Sequence, residues 1–266
     1  MSERNRLRSF LSIVYLNGIL PMRSQPLYLV NTIASPLAFL FFVYVASHGA
    51  LLAFGITGGL ILTILTTGTG IQSDLVHYKQ DLKFQDVVVA SPVEAPVYVA
   101  GMAFSEFVYA VPGLALFIAL SLVRIPGAPA SGMHYTLEGS LTLFGTLVLV
   151  WAFASALGFT IATYFQDIRE TFVFSPLLSL ILTTVPPVYY PIQYIPADLR
   201  WAAYLSPTTY AADLVHRALC TVASSAGPSC YEAPSWSATA LDWGVLVGLT
   251  AILFFLAATK ARWREP

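Results

Sequence analysis

Charged residues fill only 10% of the 266 positions, against roughly 25% in a soluble domain. A chain so poor in charge cannot coat a folded surface with polar groups, so its natural solvent is lipid. Other absences narrow the function. No Gly-x-x-x-x-Gly-Lys-Ser/Thr phosphate loop occurs, so the chain is not itself a P-loop ATPase. His-Glu-x-x-His and Gly-x-Ser-x-Gly are missing too. The histidines, at positions 48, 77, 134 and 216, are scattered without metal-ligand spacing, and no metal is expected. Asp167, Arg169 and Glu170 are the only compact polar group near an inner interface. They read as a short turn, which disfavours a lipid-modifying enzyme, and no catalytic residue is expected. A net charge of −1 gives no sign of a nucleic-acid partner. Alternation over ten-residue segments, the mark of a membrane barrel, does not occur.

What the chain does have is apolar length, with 57% hydrophobic residues and a mean hydropathy of +0.72. Six runs approach the ~20 residues a helix needs to cross hydrocarbon. They cover about 27–46, 50–71, 96–122, 140–165, 171–188 and 239–259. The fold expected is an all-α integral membrane bundle: residues 1–24 as an amphipathic elbow helix, and 25–266 as a six-span domain. Ten of the thirteen lysines and arginines lie on the side of the termini; only Arg124, Arg200 and Arg217 lie opposite. That bias puts both termini in the cytoplasm. The opposite side is then oxidising, and Cys220 and Cys230 either pair there or remain separate thiols.

Leu7, Phe10, Leu11 and Val14 recur at helical spacing among arginines. They predict a basic helix lying on the membrane, either as an orientation anchor or as an elbow against a partner. Gly55 with Gly59, and Ala154 with Gly158, are small pairs that let helices approach closely. Residues 72–95 form the most polar inner segment, and Leu75, Tyr78, Leu82 and Gln85 suggest a short helix within it.

Glu106 is the ionisable group deepest in a span, about ten residues or ~15 Å from the inner end of its helix. It either contributes to a polar route with Asn31 or is protonated and bonded to a neighbouring helix. Beyond the fifth run the prolines at 186, 187, 191 and 196 stop the helix. Ser206 and Pro207 suit the N-cap and first position of another. Tyr210, Leu214 and Ala218 then line one face, with Asp213 and Arg217 as an i,i+4 pair. This stretch reads as an outer cap of one or two short helices, with Trp201, Tyr204 and Tyr210 suited to headgroup depth.

Three motifs, in this order, resemble the membrane subunits of type-2 ABC exporters. They are Asp86 followed by Ser91-Pro92-Val93, Tyr190-Pro191 with Ile195-Pro196 and Leu199, and Leu205-Ser206-Pro207 with Tyr210. Asp86 stands where that family commonly has Glu, and Ser206 where it has Asn. The resemblance implies a permease dimer, of two copies or with a similar chain, joined to separate ABC ATPase subunits. ATP would then act through those partners, with no cofactor bound by this chain. It implies an ATPase-coupling surface of Gln80, Asp81, Lys83, Phe84, Gln85 and Asp86, with Arg6 and Phe10 nearby. It also implies export of an amphipathic or lipid-linked substrate across the plasma membrane of a prokaryotic cell. A different class, an ion-coupled secondary transporter using Glu106, would need no ATPase.

Overall fold

The structure, a computed structural model, describes residues 3–24, 27–80, 93–123, 136–165, 167–220 and 236–260. Among them all regular structure is helical. The chain opens with α1 (Glu3–Val14), a five-residue π turn (Tyr15–Ile19) and α2 (Leu20–Ser24). The long helices follow: α3 (Leu27–Ala46), α4 (Leu52–Gln80), α5 (Ala95–Leu122), α6 (Leu137–Ala162) and α7 (Ile168–Thr184). Two 3-10 turns (Ile192–Tyr194 and Ala197–Leu199) then lead through α8 (Arg200–Ala203) to α9 (Pro207–Cys220) and α10 (Trp236–Lys260).

The boundaries have local causes. Proline stands at the first turn of α5, where its missing N–H costs nothing. Thr136 caps α6 by accepting from Gly139 N at 3.0 Å. Asp167 does the same for α7 from Arg169 N at 2.8 Å, so this polar group is a helix cap as well as a turn. Helix α7 stops at Thr184, two residues before Pro186 and Pro187.

The segment 72–80 departs from expectation. In place of a separate short helix, α4 runs unbroken to Gln80, because no Gly or Pro between Ile71 and Gln80 interrupts it. The rest of that expected segment, 81–92, lies outside the described residues.

Helix α4 is the axle of the bundle. It packs against α3, α5, α6, α7 and α9, and 94% of its apolar window is buried. Its glycines make this possible. A Cβ on Gly58 would clash with the Tyr189 ring, 2.3 Å from Cδ1, and one on Gly59 with the Phe117 ring, 2.1 Å from Cε1. Gly68 would meet Ala154 Cβ at 2.6 Å, and Gly158 faces the Gly68 carbonyl at 3.2 Å. The small residues of α4 and α6 thus bring two backbones together inside one chain.

Among the described residues four helical stretches are long and apolar enough to cross a bilayer: Leu52–Tyr78, Pro96–Leu122, Leu137–Ala162 and Ser237–Ala257. The apolar part of α3, Thr32–Ala46, is shorter, and α7 has 17 residues.

Candidate functional site

Helices built from leucine, valine and phenylalanine have little reason to gather hydroxyls, yet they do so between α3, α4 and α7. On α7 Thr171, Ser175, Ser179 and Thr183 recur every fourth residue and are buried. That spacing puts them on one face, and the face turns to α4. Thr69 Oγ1 lies 2.8 Å from Ser179 Oγ, and Ser175 Oγ donates to Thr69 Oγ1 at 3.3 Å. Beside this seam is a cavity of about 300 Å³, whose polar lining includes Thr32, Ser35, Thr66, Ser73, Asp74 and Glu106. Pro176 also lines it and, lacking an N–H, leaves the Phe172 carbonyl without its helical donor.

Two carboxyls meet in the cavity. Asp74 of α4 and Glu106 of α5 both line it. Glu106 reaches across because Gly70 offers it no side chain; a Cβ there would sit 3.3 Å from Glu106 Oε2. Glu106 itself is 3% exposed, so its surroundings are set by protein groups.

The N-terminal elbow is tied to this site. Tyr78 Oη donates to Asn17 Oδ1 at 2.8 Å, and Tyr109 Oη donates to the Asn17 carbonyl at 2.8 Å. Asn17 sits in the π turn, and neighbouring Gly18 presses against the Ser105 backbone of α5. Farther along α1, Phe10 packs on Phe104 with ring centroids 5.7 Å apart. Arg6 donates from Nε and Nη2 to Glu94 Oε1 at 3.0 and 2.8 Å. The apolar face of α1 therefore divides: Phe10 and Val14 turn toward the bundle, while Leu7 and Leu11 stay exposed.

The proline-rich cap is stapled to the end of α7. Tyr190 Oη donates to Val185 O at 2.9 Å, and Thr208 Oγ1 to Leu182 O at 2.5 Å. Pro191 and Pro196 each precede a 3-10 turn. Pro207 is the first residue of α9, and Ser206 Oγ lies 2.7 Å from Thr208 Oγ1. Tyr210 Oη reaches the Tyr204 carbonyl at 2.9 Å. Helix α9 does more than lie on a surface: Ala211, Leu214, Val215 and Leu219 are buried against α4, α6 and α10.

The anticipated partner of Arg217 was Asp213. The structure instead puts its Nη2 3.0 Å from Asp242 Oδ2, with Nη1 donating to Thr239 Oγ1 at 2.7 Å. A residue on α10 takes this contact in place of the i+4 neighbour on α9. Burial pushes the Asp213 carboxyl above its usual range, and nearby Arg217 draws it back.

Of the remaining site residues, Gln80 ends α4; Asp81, Lys83, Phe84, Gln85 and Asp86 lie outside the described residues. Asn31 stands in α3 and Cys220 ends α9, their side chains not among those described; Cys230 lies outside as well. The partner of Glu106 that sequence reasoning missed is Asp74. Asp74 falls within the polar inner segment 72–95, and the lack of Gly or Pro between Ile71 and Gln80 is the signal that carries α4 through it.

A family model described as ABC-2 type transporter matches residues 10–219. No curated protein matches the chain.

Proposed function

The chain belongs to the ABC-2 type transporter family, the membrane permeases of ABC transporters, and we propose that it exports an amphipathic or lipid-linked substrate. The energy comes from ATP hydrolysed by separate subunits, since this chain carries no phosphate loop. The observation that carries the reading is the hydroxyl- and carboxyl-lined cavity between α3, α4 and α7. A route for a substrate with a polar head needs such groups at a depth where unpaired ones are costly.

In this reading α3 and α7 supply the fifth and sixth crossings, making six with both termini cytoplasmic in the cell membrane. Their outward faces expose Leu37, Phe41, Leu177 and Ile181, and a second copy or a similar permease covers them. The cavity then opens onto the dimer interface. ATP binding closes the partner ATPases, which push on the segment from Gln80 to Asp86 and on α1 near Arg6 and Phe10. The permease repacks between two discrete arrangements, each favoured by different contacts.

Two results test this. Glu106→Gln keeps the size of the side chain but removes the carboxyl, and ATP-driven transport in vesicles should fall about tenfold with assembly intact. Unchanged transport across pH would remove Glu106 from the route. Joint reversal of Lys83 and Asp86 to Glu and Lys should lower recovery of the ATPase on co-purification severalfold; undiminished recovery would move the coupling surface elsewhere. Substrate movement with no ATPase present would instead favour ion coupling through Glu106 and the Asp74 that lines the cavity beside it.

A further inference from the structure

A second hollow lies apart from the polar cavity, between α5, α6 and α10, with Phe10 of α1 at one end. Its volume is about 530 Å³, inside the ~300–1,000 Å³ range of ligand sites. The walls are almost wholly apolar: Val99, Ala100, Phe104, Phe159, Phe254 and Ala257. Trp151 also lines it, but its Nε1 is already used, donating to the Ala103 carbonyl at 3.0 Å.

Ser155 is the exception. It lines the same hollow and is 5% exposed, and its Oγ has no hydrogen-bond partner. Other hydroxyls of α6 bond back to a carbonyl one turn earlier: Thr146 to Thr142 O at 2.8 Å and Thr160 to Ala156 O at 2.7 Å. A hydroxyl withdrawn from water without such a bond carries an uncompensated desolvation penalty, so an acceptor arriving in the hollow gains what the backbone does not supply.

We infer that this cleft binds one membrane phospholipid, its acyl chain along the apolar walls and an ester carbonyl accepting from Ser155 Oγ. Three observations select that occupant. The walls belong to three of the four described helices long and apolar enough to cross a bilayer, and Phe254 of the wall and its neighbour Phe255 are exposed, so acyl chains would surround the cleft. Ser155 lies seven residues before Ala162, the end of α6; at ~1.5 Å per residue it sits about 10 Å from that end, a depth that an ester carbonyl of a lipid seated in the cleft would reach. Arg6 and Arg8 stand on α1 within a turn of Phe10. Glu94 neutralises Arg6 while Arg8 is exposed, which favours an anionic headgroup. The inference needs only a membrane-embedded chain and stands apart from the direction of transport.

The full-length chain, purified in detergent and titrated with dioleoylphosphatidylglycerol, provides the test by native mass spectrometry. The expected result is one phospholipid per chain surviving detergent exchange. Ser155→Ala should weaken retention about fivefold, and Ala100→Phe, which fills the cleft, about tenfold. Gly248→Phe should leave it unchanged, since a Cβ on Gly248 of α10 meets nothing within 4 Å. Should Ala100→Phe fail to fold, a chain-brominated phosphatidylglycerol reports instead, quenching more fluorescence in wild type than in Trp151→Phe. Full exchange of the lipid for detergent, equal retention by folded Ala100→Phe, or equal quenching in both chains would each overturn the assignment.

Discussion

Arg217→Ala is expected to destabilise the protein by about 3–5 kcal/mol, the cost of leaving a buried charge without its partner. The side chains of Arg217 and Asp242 are 17% and 7% exposed, so water cannot replace the lost guanidinium. The variant also releases Thr239 Oγ1, and with it both polar ties made by Arg217 between α9 and α10. Thermal unfolding in detergent should show a sharply lowered midpoint. Arg217→Met combined with Asp242→Leu should recover most of the loss, because replacing a whole buried pair by apolar groups is often neutral or favourable. If the single and double variants unfold alike, the damage is steric and not electrostatic. The deficit should also depend on pH. Asp213 already has its folded value raised by burial, with Arg217 as the opposing influence. Removing Arg217 raises it further, so the folded state holds its proton to higher pH than the unfolded chain does. The penalty therefore grows as pH climbs from the carboxylate range and shrinks on acidification.

Gly59→Val should be nearly as damaging, at about 3 kcal/mol or more. The first added carbon already lies 2.1 Å from Phe117 Cε1, and Phe117 is fully buried, so the ring has no solvent to yield into. Expression and thermal stability should both drop, while Gly244→Val on α10, where a Cβ meets nothing within 4 Å, should leave them near wild type. Gly59→Val combined with Phe117→Ala, which vacates the space, should recover part of the loss. An unaffected Gly59→Val would mean that α3 to α6 are not packed around α4 as described.

Both expectations rest on lateral neighbours, and these are what the linear chain conceals. Helix ends could be read from it: Pro207 at the start of α9, Pro186 and Pro187 beyond α7, proline in the first turn of α5. Each acts within a few residues of itself, so a local pattern suffices. Amphipathic spacing likewise foretold α1 and the buried face of α9. The depth of Glu106 was also readable, but its partner was not. Asp74 lies on another helix, and its meeting with Glu106 depends on Gly70 and on how α4 and α5 cross. Arg217 illustrates the same limit: the i+4 acid was visible, the acid on α10 was not. Gly55 and Gly59 share a stripe, yet Gly55 meets Leu40 and Gly59 meets Phe117, two separate neighbours that spacing alone cannot distinguish.

The π turn at Asn17 carries a mechanical consequence. Because Tyr78 and Tyr109 both hold that one residue, the joint has no slack of its own. Any tug on α1 must either break two phenol bonds or drag the end of α4 and the middle of α5 with it, and Asp74 and Glu106 on those helices would shift in step. The permease is geared at this point, like a crank pinned to its shaft.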